Sequence, residues 1–145
     1  MSPAAHLTVA SVAAVGGIWA LPAVAQMSLT EACEAASASG VEFRQCAIDA
    51  YDEADAELNE VYRLAITRAK AFDVDAAVEG QAGPLTLEEA LRRAQRDWIV
   101  FRESDCDALA VTFGGGTGAM AAGTLCRAEK TLARAQALRS MMADY

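Results

Sequence analysis

Apolar side chains recur every three or four positions along most of this chain, which is the spacing of a buried stripe on an α-helix. The longest stripe comprises Ala47, Tyr51, Ala54, Leu58, Val61, Tyr62, Ala65, Ala69 and Phe72. A second comprises Leu87, Leu91, Ala94, Trp98 and Phe101, and a third comprises Ala121, Leu125, Ala128, Leu132, Ala135, Leu138 and Met142. The sequence shows no strand-like alternation. The pattern therefore predicts an all-α fold.

Local signals set the expected helix ends. In a capping box, a Ser or Thr at the helix start exchanges hydrogen bonds with a Glu three residues later. This spacing occurs at Ser28 with Glu31, Ser39 with Glu42 and Thr86 with Glu89. We predict helices over residues 29–38, 41–72 and 86–107, and a last helix that ends near residue 142.

Glycine and proline interrupt the helical pattern twice. Residues 73–85 contain Gly80, Gly83 and Pro84, and we expect a loop there, with room for one helical turn. The glycine run at residues 114–118 should form a second turn, because glycine tolerates positive φ. The expected architecture is a short helix plus three longer helices in an antiparallel bundle.

The first residues form a compositional zone of their own. Residues 7–24 are almost wholly small or apolar, and the run closes with Ala23, Val24 and Ala25, a pattern that signal peptidase accepts. Only His6 precedes the run, so the usual positively charged start is missing. A transmembrane anchor is the alternative, but spanning needs about 20 strongly apolar residues and this run is diluted by small and polar ones. We expect a signal peptide over residues 1–25 and a single domain over 26–145, with no stable membrane anchor after cleavage.

Four cysteines in a small exported chain favour two disulfides and a periplasmic or secreted location, because those compartments are oxidising. Four cysteines allow three connectivities. Cys33 and Cys46 lie seven and six residues either side of Gly40, and Cys106 and Cys126 each lie ten residues from Gly116. Residues at matching distances from a turn meet in a helical hairpin. The expected pairs are Cys33 with Cys46 and Cys106 with Cys126.

The charge of the chain favours a basic protein as its partner. All 20 acidic and 12 basic residues follow residue 25, so the predicted domain carries the net charge of −8, which repels nucleic acid and anionic lipid. Residues 49–60 hold six carboxylates and no Lys or Arg. The candidate docking residues in this run are Asp49, Asp52, Glu53 and Glu60. The alternative is a plain solvated helix face.

Catalytic and cofactor signals are weak. No histidine follows His6, so Ser-His and Cys-His arrangements cannot form in the predicted domain, and the cysteines are expected to be oxidised. The acidic run lacks the loop glycine of an EF-hand, and the glycine run lacks the lysine of a phosphate loop. We therefore expect a protein that is not an enzyme and holds no metal or cofactor.

Polar residues beside the stripes are candidates for contacts between the second and third helices. They are Asp55, Asn59, Tyr62, Gln95, Trp98 and Arg102. Arg102 follows Phe101 beside the core-facing stripe and is within reach of a carboxylate such as Asp55. Such a partly buried ion pair would fix the register of the two helices. Direct contact with a ligand is the alternative role.

The segments "ADAELNEVY" and "AQRDWIVFRESDC", with Cys46 before them and Cys126 after them, resemble the LprI-type lysozyme-inhibitor-like family. The resemblance extends from about residue 33 to residue 138. It implies an exported, cysteine-rich helical domain that binds and inhibits a lysozyme, and the acidic residues favour a basic c-type lysozyme. The alternative is a non-catalytic envelope interaction or scaffold module that does not act on lysozyme.

Overall fold

The structure, a computed structural model, describes residues 27–143. They form four helices: α1 (Leu29–Ala36), α2 (Gly40–Val78), α3 (Leu87–Val111) and α4 (Gly116–Met142). Consecutive helices are antiparallel, so α2 and α4 point the same way and pack along most of their lengths. No strand forms within this range, and the prediction of an all-α bundle is confirmed. The predicted signal peptide lies outside the described residues.

Capping residues start three of the helices, as predicted. Ser28 and Thr86 each form a complete capping box with the glutamate three residues later. Ser39 forms half of one: its side chain accepts from the backbone N–H of Glu42, but the Glu42 carboxylate accepts from the backbone N–H of Ala38 instead. The first residues of α1, α2 and α3 therefore have partners for their otherwise unpaired backbone donors.

The helix α2 is longer than predicted, because it continues through residues 73–78, where we expected a loop. Gly80, with φ of 71°, ends it. The backbone N–H of Gln81 donates to the carbonyl of Ala76 at 2.8 Å, and that of Gly80 donates to Ala77 at 3.2 Å, which is a Schellman motif. Glycine does interrupt the helical pattern in this segment, as predicted, but the helix ends at Val78, six residues later than expected.

Asp73 explains why the end of α2 remains ordered. Its Oδ1 accepts from the backbone N–H of Leu87 at 2.7 Å, and its Oδ2 accepts from that of Glu88 at 3.0 Å. Both donors belong to the first turn of α3, whose positive dipole end favours a carboxylate. Asp73 thus links α2 to the start of α3 across the loop between them.

The interface between α2 and α4 is rich in alanine, which lets the two helices approach closely. The alanines that are at most 1% exposed are Ala47, Ala54, Ala65 and Ala69 of α2 and Ala121, Ala128 and Ala135 of α4. Larger buried side chains gather towards the C-terminal ends of α2 and α4, where Leu58, Ile66, Leu91 and Leu138 form the main core. The opposite end has a smaller core built from Cys33, Ala47, Ala121 and Leu125.

Both predicted disulfides form, and both lie towards the end with the smaller core. Cys33 pairs with Cys46, with a Cα–Cα distance of 5.7 Å, and Cys106 pairs with Cys126, at 5.6 Å. The first attaches α1 to α2, and the second attaches α3 to α4. Covalent links at this end supplement a core that buries few large side chains.

The turn between α3 and α4 depends on glycine. Gly114, Gly115 and Gly116 have φ values of 71°, 93° and 78°, a region that L side chains rarely adopt. The predicted glycine turn is thereby confirmed, although α4 already begins at Gly116 within it.

The buried face of α3 differs from the predicted stripe by one position. Ala94 and Phe101, expected to face the core, are exposed. The buried residues of α3 are Leu91, Gln95, Arg102 and Cys106. Two of these are polar, so apolar character alone could not identify the inward side. None of the helices within residues 27–143 is both long and apolar enough to cross a membrane.

Candidate functional site

The acidic run of α2 divides into an outward group and an inter-helix group. Asp49, Asp52, Glu53 and Glu60 are exposed and form the outward group, which we call the acidic face. The other two carboxylates of the run contact other helices: Glu57 pairs with Arg139 of α4, and Asp55 lies beside α3. A rise of 1.5 Å per helical residue spreads the acidic face over about 16 Å.

Two of these four carboxylates have no partner among residues 27–143. Asp49 accepts from Nε2 of Gln45 at 2.8 Å, and Glu60 pairs with Arg63 on the helix surface. Asp52 and Glu53 make no hydrogen bond or ion pair with any residue in the range 27–143. Their charge therefore remains available to an external cation.

A shallow cleft of about 430 Å³ lies beside the acidic face, between the C-terminal end of α1 and α2. Three carboxylates line it, from Glu42, Asp49 and Glu53. The Cys33–Cys46 disulfide holds α1 against α2 here, so the cleft has a covalently fixed wall. A lysine or arginine side chain is the kind of group that such a cleft accommodates.

A second group of polar side chains surrounds Arg102, which is only 7% exposed. Its Nη1 donates to Oγ1 of Thr131 on α4 at 3.0 Å. Its Nε and Nη2 donate to Oε1 of Glu103 at 2.9 and 2.7 Å. The Oδ1 of Asp55 on α2 lies 3.9 Å from Nη1. Arg102 therefore links all three long helices.

Aromatic rings enclose the same guanidinium group. The rings of Tyr51 and Trp98 lie 5.4 and 5.1 Å from it, distances at which a cation is attracted to a ring face. Arg134 approaches the Trp98 ring at 5.9 Å and donates from Nε to Oε1 of Gln95 at 3.0 Å. Burial lowers the pKa of Arg134, and the nearby Tyr62 opposes this effect.

Glu103 joins this cluster to a second arginine. Arg127 donates from Nε to Oε2 of Glu103 at 2.6 Å and also pairs with Asp107. Burial raises the pKa of the Glu103 carboxyl, but the hydrogen bonds from Arg127 and Arg102 outweigh burial, so the pKa is lowered overall. The hydrogen bond with Glu103 raises the pKa of Arg127 despite burial.

The six inter-helix candidates from the sequence fall into two neighbouring groups. Asp55 and Trp98 gather around Arg102, and Asn59 reaches this group by donating from Nδ2 to Oδ2 of Asp55 at 2.9 Å. Tyr62 packs against the main core near Arg92 and Arg134, and Gln95 also bonds Arg134. Arg102, Arg127 and Arg134 each contact a residue of another long helix, so these groups connect α2, α3 and α4.

The sequence analysis did not assign five residues to these groups. One is Tyr51, which it placed only in the apolar stripe of α2, and the others are Glu103, Arg127, Thr131 and Arg134. One signal was present: Thr131 lies between Ala128 and Ala135 on the inward side of α4, and a polar residue in an apolar stripe needs a partner. The arginines carried no such signal.

Residues 27–143 contain neither a metal-binding cluster nor a free thiol. Within that range no three His, Cys, Asp or Glu side chains come close enough together to hold a metal ion. All four cysteines are in disulfides. The arrangement offers an anionic helix surface on a cross-linked bundle.

Comparison with known proteins gives this geometry a family context. A family model described as "Lysozyme inhibitor LprI" matches residues 33–138. The chain belongs to the LprI family. The LprI match takes in both disulfides, the acidic face and the Arg102 cluster. The family description names an inhibitor and not an enzyme.

A similar curated protein adds no function of its own. An uncharacterized protein of Rhizobium meliloti (strain 1021) is 35% identical to this chain over 109 residues, which cover 72% of this chain and 74% of the relative. No solved structure matches the chain.

Proposed function

We propose that this protein is an exported inhibitor that binds a c-type lysozyme through the acidic face of α2. The observation that carries the proposal is the family match over residues 33–138, which includes every residue of that face. The expected mode of inhibition is occupation of the substrate cleft of the lysozyme. No catalytic step is needed for this role.

Charge supports the choice of partner. The chain has a net charge of −8, and the carboxylates of Asp52 and Glu53 are unpaired among the described residues. An anionic surface of this kind steers a cationic protein towards it and raises the association rate. A c-type lysozyme is such a cationic protein.

The rigidity of the bundle supports a binding role as well. The Cys33–Cys46 disulfide and the Arg102 cluster fix α2 from both sides, towards α1 and towards α3 and α4. A surface already held in its binding conformation loses little conformational entropy on association. The acidic face therefore presents its charges on an ordered helix.

Export fits the same proposal. Two disulfides are stable in the periplasm or outside the cell, where a lysozyme would reach its substrate. Cleavage after Ala25 would remove the apolar leader predicted at residues 1–25.

The test is lysis of a peptidoglycan substrate by c-type and g-type lysozymes, with the oxidised protein purified from the periplasm of an expression host. We expect stoichiometric inhibition of the c-type enzyme, weaker at physiological salt than at low salt, because screening acts over roughly 8 to 10 Å. An unrelated acidic protein of similar net charge is the control. Absence of inhibition by a folded, disulfide-intact sample would contradict the proposal and favour a non-inhibitory envelope module.

A further inference from the structure

A second concave site lies at the end of the bundle that carries the glycine turn. It is bounded by α1, the first turn of α2, the end of α3 and the first half of α4, and it has a volume of about 220 Å³. Its apolar walls include Phe43, Leu109, Phe113 and Leu125. Small-molecule sites usually measure about 300 to 1,000 Å³, so this pocket is suited to a single large side chain. It shares no lining residue with the acidic cleft of α2.

Both disulfides hold the walls of this pocket. Cys126 lines it directly and is bonded to Cys106 of α3. Thr30 and Glu34 of α1 line it as well, and α1 is attached to α2 through Cys33. The pocket is therefore formed before any partner arrives, which reduces the entropy lost on binding.

The rim of the pocket is anionic. Glu34 and Glu129 both line it, and neither carboxylate has a hydrogen bond or ion pair with another residue between 27 and 143. A purely apolar ligand would remove water from both carboxylates without providing a positive charge to replace it, which is unfavourable. A ligand for this site therefore combines an apolar group with a positive charge.

Two of the apolar walls of the pocket remain exposed to solvent. Leu109 and Phe113, which both line it, are 43% and 56% exposed. Contiguous exposed apolar surface with a polar rim is typical of protein-binding sites. A large apolar anchor in a central pocket is the usual energetic centre of such an interface.

We infer that this pocket binds one large apolar side chain of a basic partner protein, next to a Lys or Arg that pairs with Glu34 and Glu129. The negative charge of the chain disfavours a second copy as the occupant, since each copy carries −8. The inference does not depend on the partner being a lysozyme.

The first experiment uses short peptides as probes and amide chemical shifts of the oxidised, exported protein as the readout. Acetyl-Lys-Phe-Lys-amide should shift the amides of Glu34, Phe113 and Gly118. Acetyl-Lys-Ala-Lys-amide should bind at least about tenfold more weakly, because it lacks the side chain that fills the pocket. Acetyl-Glu-Phe-Glu-amide should bind at least equally poorly, because it carries the wrong charge.

Matched variants distinguish blocking of the pocket from a general effect of an added side chain on peptide binding. Gly118→Leu places a side chain in open space at the pocket wall. Gly83→Leu adds a side chain in the loop between α2 and α3, where a Cβ would make an ordinary contact with the carbonyl of Leu85 at 3.9 Å and where no residue lines the pocket. We expect Gly118→Leu to weaken the Lys-Phe-Lys peptide at least about tenfold and Gly83→Leu to leave it unchanged. The double change Glu34→Gln and Glu129→Gln should weaken it about three- to tenfold and flatten its salt dependence.

Three results would overturn the inference. They are equal binding of the alanine or acidic peptide, full binding by Gly118→Leu, and concentration-dependent shifts at the same amides without peptide, which would identify a second copy as the occupant. The lysis assay stands apart from this test. Peptide binding without lysozyme inhibition would support the inferred pocket and contradict the proposed function. Lysozyme inhibition without peptide binding would support the proposed function and contradict the inferred pocket.

Discussion

Arg102 of α3 donates a hydrogen bond to the hydroxyl of Thr131 on α4 across 3.0 Å, at a point where Thr131 is completely buried. Thr131 occupies an inward position among alanines and leucines, where a hydroxyl without a partner would be unfavourable. The guanidinium also reaches carboxylates on both sides, so a single buried side chain sets the relative register of three helices.

Replacing Thr131 by valine tests this relationship, because valine keeps the shape and removes the acceptor. One N–H of the Arg102 guanidinium would lose its partner inside the bundle. We expect the free energy of unfolding to fall by about 1 to 3 kcal/mol, measured by urea denaturation. Thr67→Val is the control, since among residues 27–143 the Thr67 hydroxyl bonds only the carbonyl of Arg63, on the exposed surface of α2. Equal losses in the two variants would contradict the proposed role of the hydrogen bond.

The sequence was sufficient to predict the local features of the fold but not the polar contacts of this cluster. Glycines and capping residues act locally, so Gly114–Gly116, Ser28 and Thr86 were predicted with their roles. The buried side of α3 was not predicted. Gln95 and Arg102 can be buried because α4 supplies their hydrogen-bond partners, Arg134 and Thr131 respectively. Hydrophobic periodicity cannot detect polar residues that are buried in pairs.

The predicted end of α2, at residue 72, was wrong for a related reason. Residues 73–78 carry no strong apolar stripe, and their helix is supported by contacts that Asp73 makes with the first turn of α3. The acidic face was predicted correctly in position, as exposed residues of α2, but the sequence did not show that Glu57 would pair with Arg139 instead of facing outward. Its role as a binding surface stays a prediction.

The disulfides should supply a large share of the stability of this bundle. They close loops with sequence separations of 13 and 20 residues, and the loop-entropy estimate gives about 3 kcal/mol for each. Domains of this size have total stabilities of about 5 to 15 kcal/mol. We therefore expect reductant to lower the melting temperature strongly, as followed by circular dichroism.

Paired serine variants assign this effect to each bridge. Replacing Cys33 and Cys46 together should raise amide hydrogen exchange mainly in α1, a helix of only eight residues that packs on α2 and α4. Replacing Cys106 and Cys126 should raise exchange in both α3 and α4. An oxidised and a reduced sample that melt at the same temperature would refute the stabilising role of both bridges.

Glu103 predicts a specific dependence of stability on pH. Burial works against its ionisation, but hydrogen bonds from Arg127 and Arg102 lower its pKa below the usual 4.5. A carboxyl that is more acidic in the folded state stabilises the fold fully above the unfolded pKa, and this contribution is lost as pH falls through the folded pKa. The urea midpoint should therefore decline as the pH drops below about 4.5.

Glu103→Gln isolates this contribution. The variant should be less stable than the natural sequence at pH ~7, and the difference should shrink as the pH falls and the Glu103 carboxyl becomes protonated. Glu129→Gln removes an exposed carboxylate that makes no ion pair with residues 27–143, so it should retain the decline of the natural sequence. A difference that is constant from neutral to acid pH would show that Glu103 acts through packing and not through its charge.

The acidic face makes a prediction about rates, because charge steering acts before contact. Changing Asp52, Glu53 and Glu60 together to lysine should reduce the association rate with a c-type lysozyme by about tenfold or more at low salt, measured by stopped-flow mixing. All three side chains are exposed, and the ion pair of Glu60 with Arg63 lies on the surface, so folding should change little. The matched control changes Asp75, Glu79 and Asp97 to lysine, which alters the net charge equally at exposed positions elsewhere. Equal effects in the two triple variants would attribute the association rate to net charge, whereas an unchanged rate in the first would exclude the acidic face from the interface.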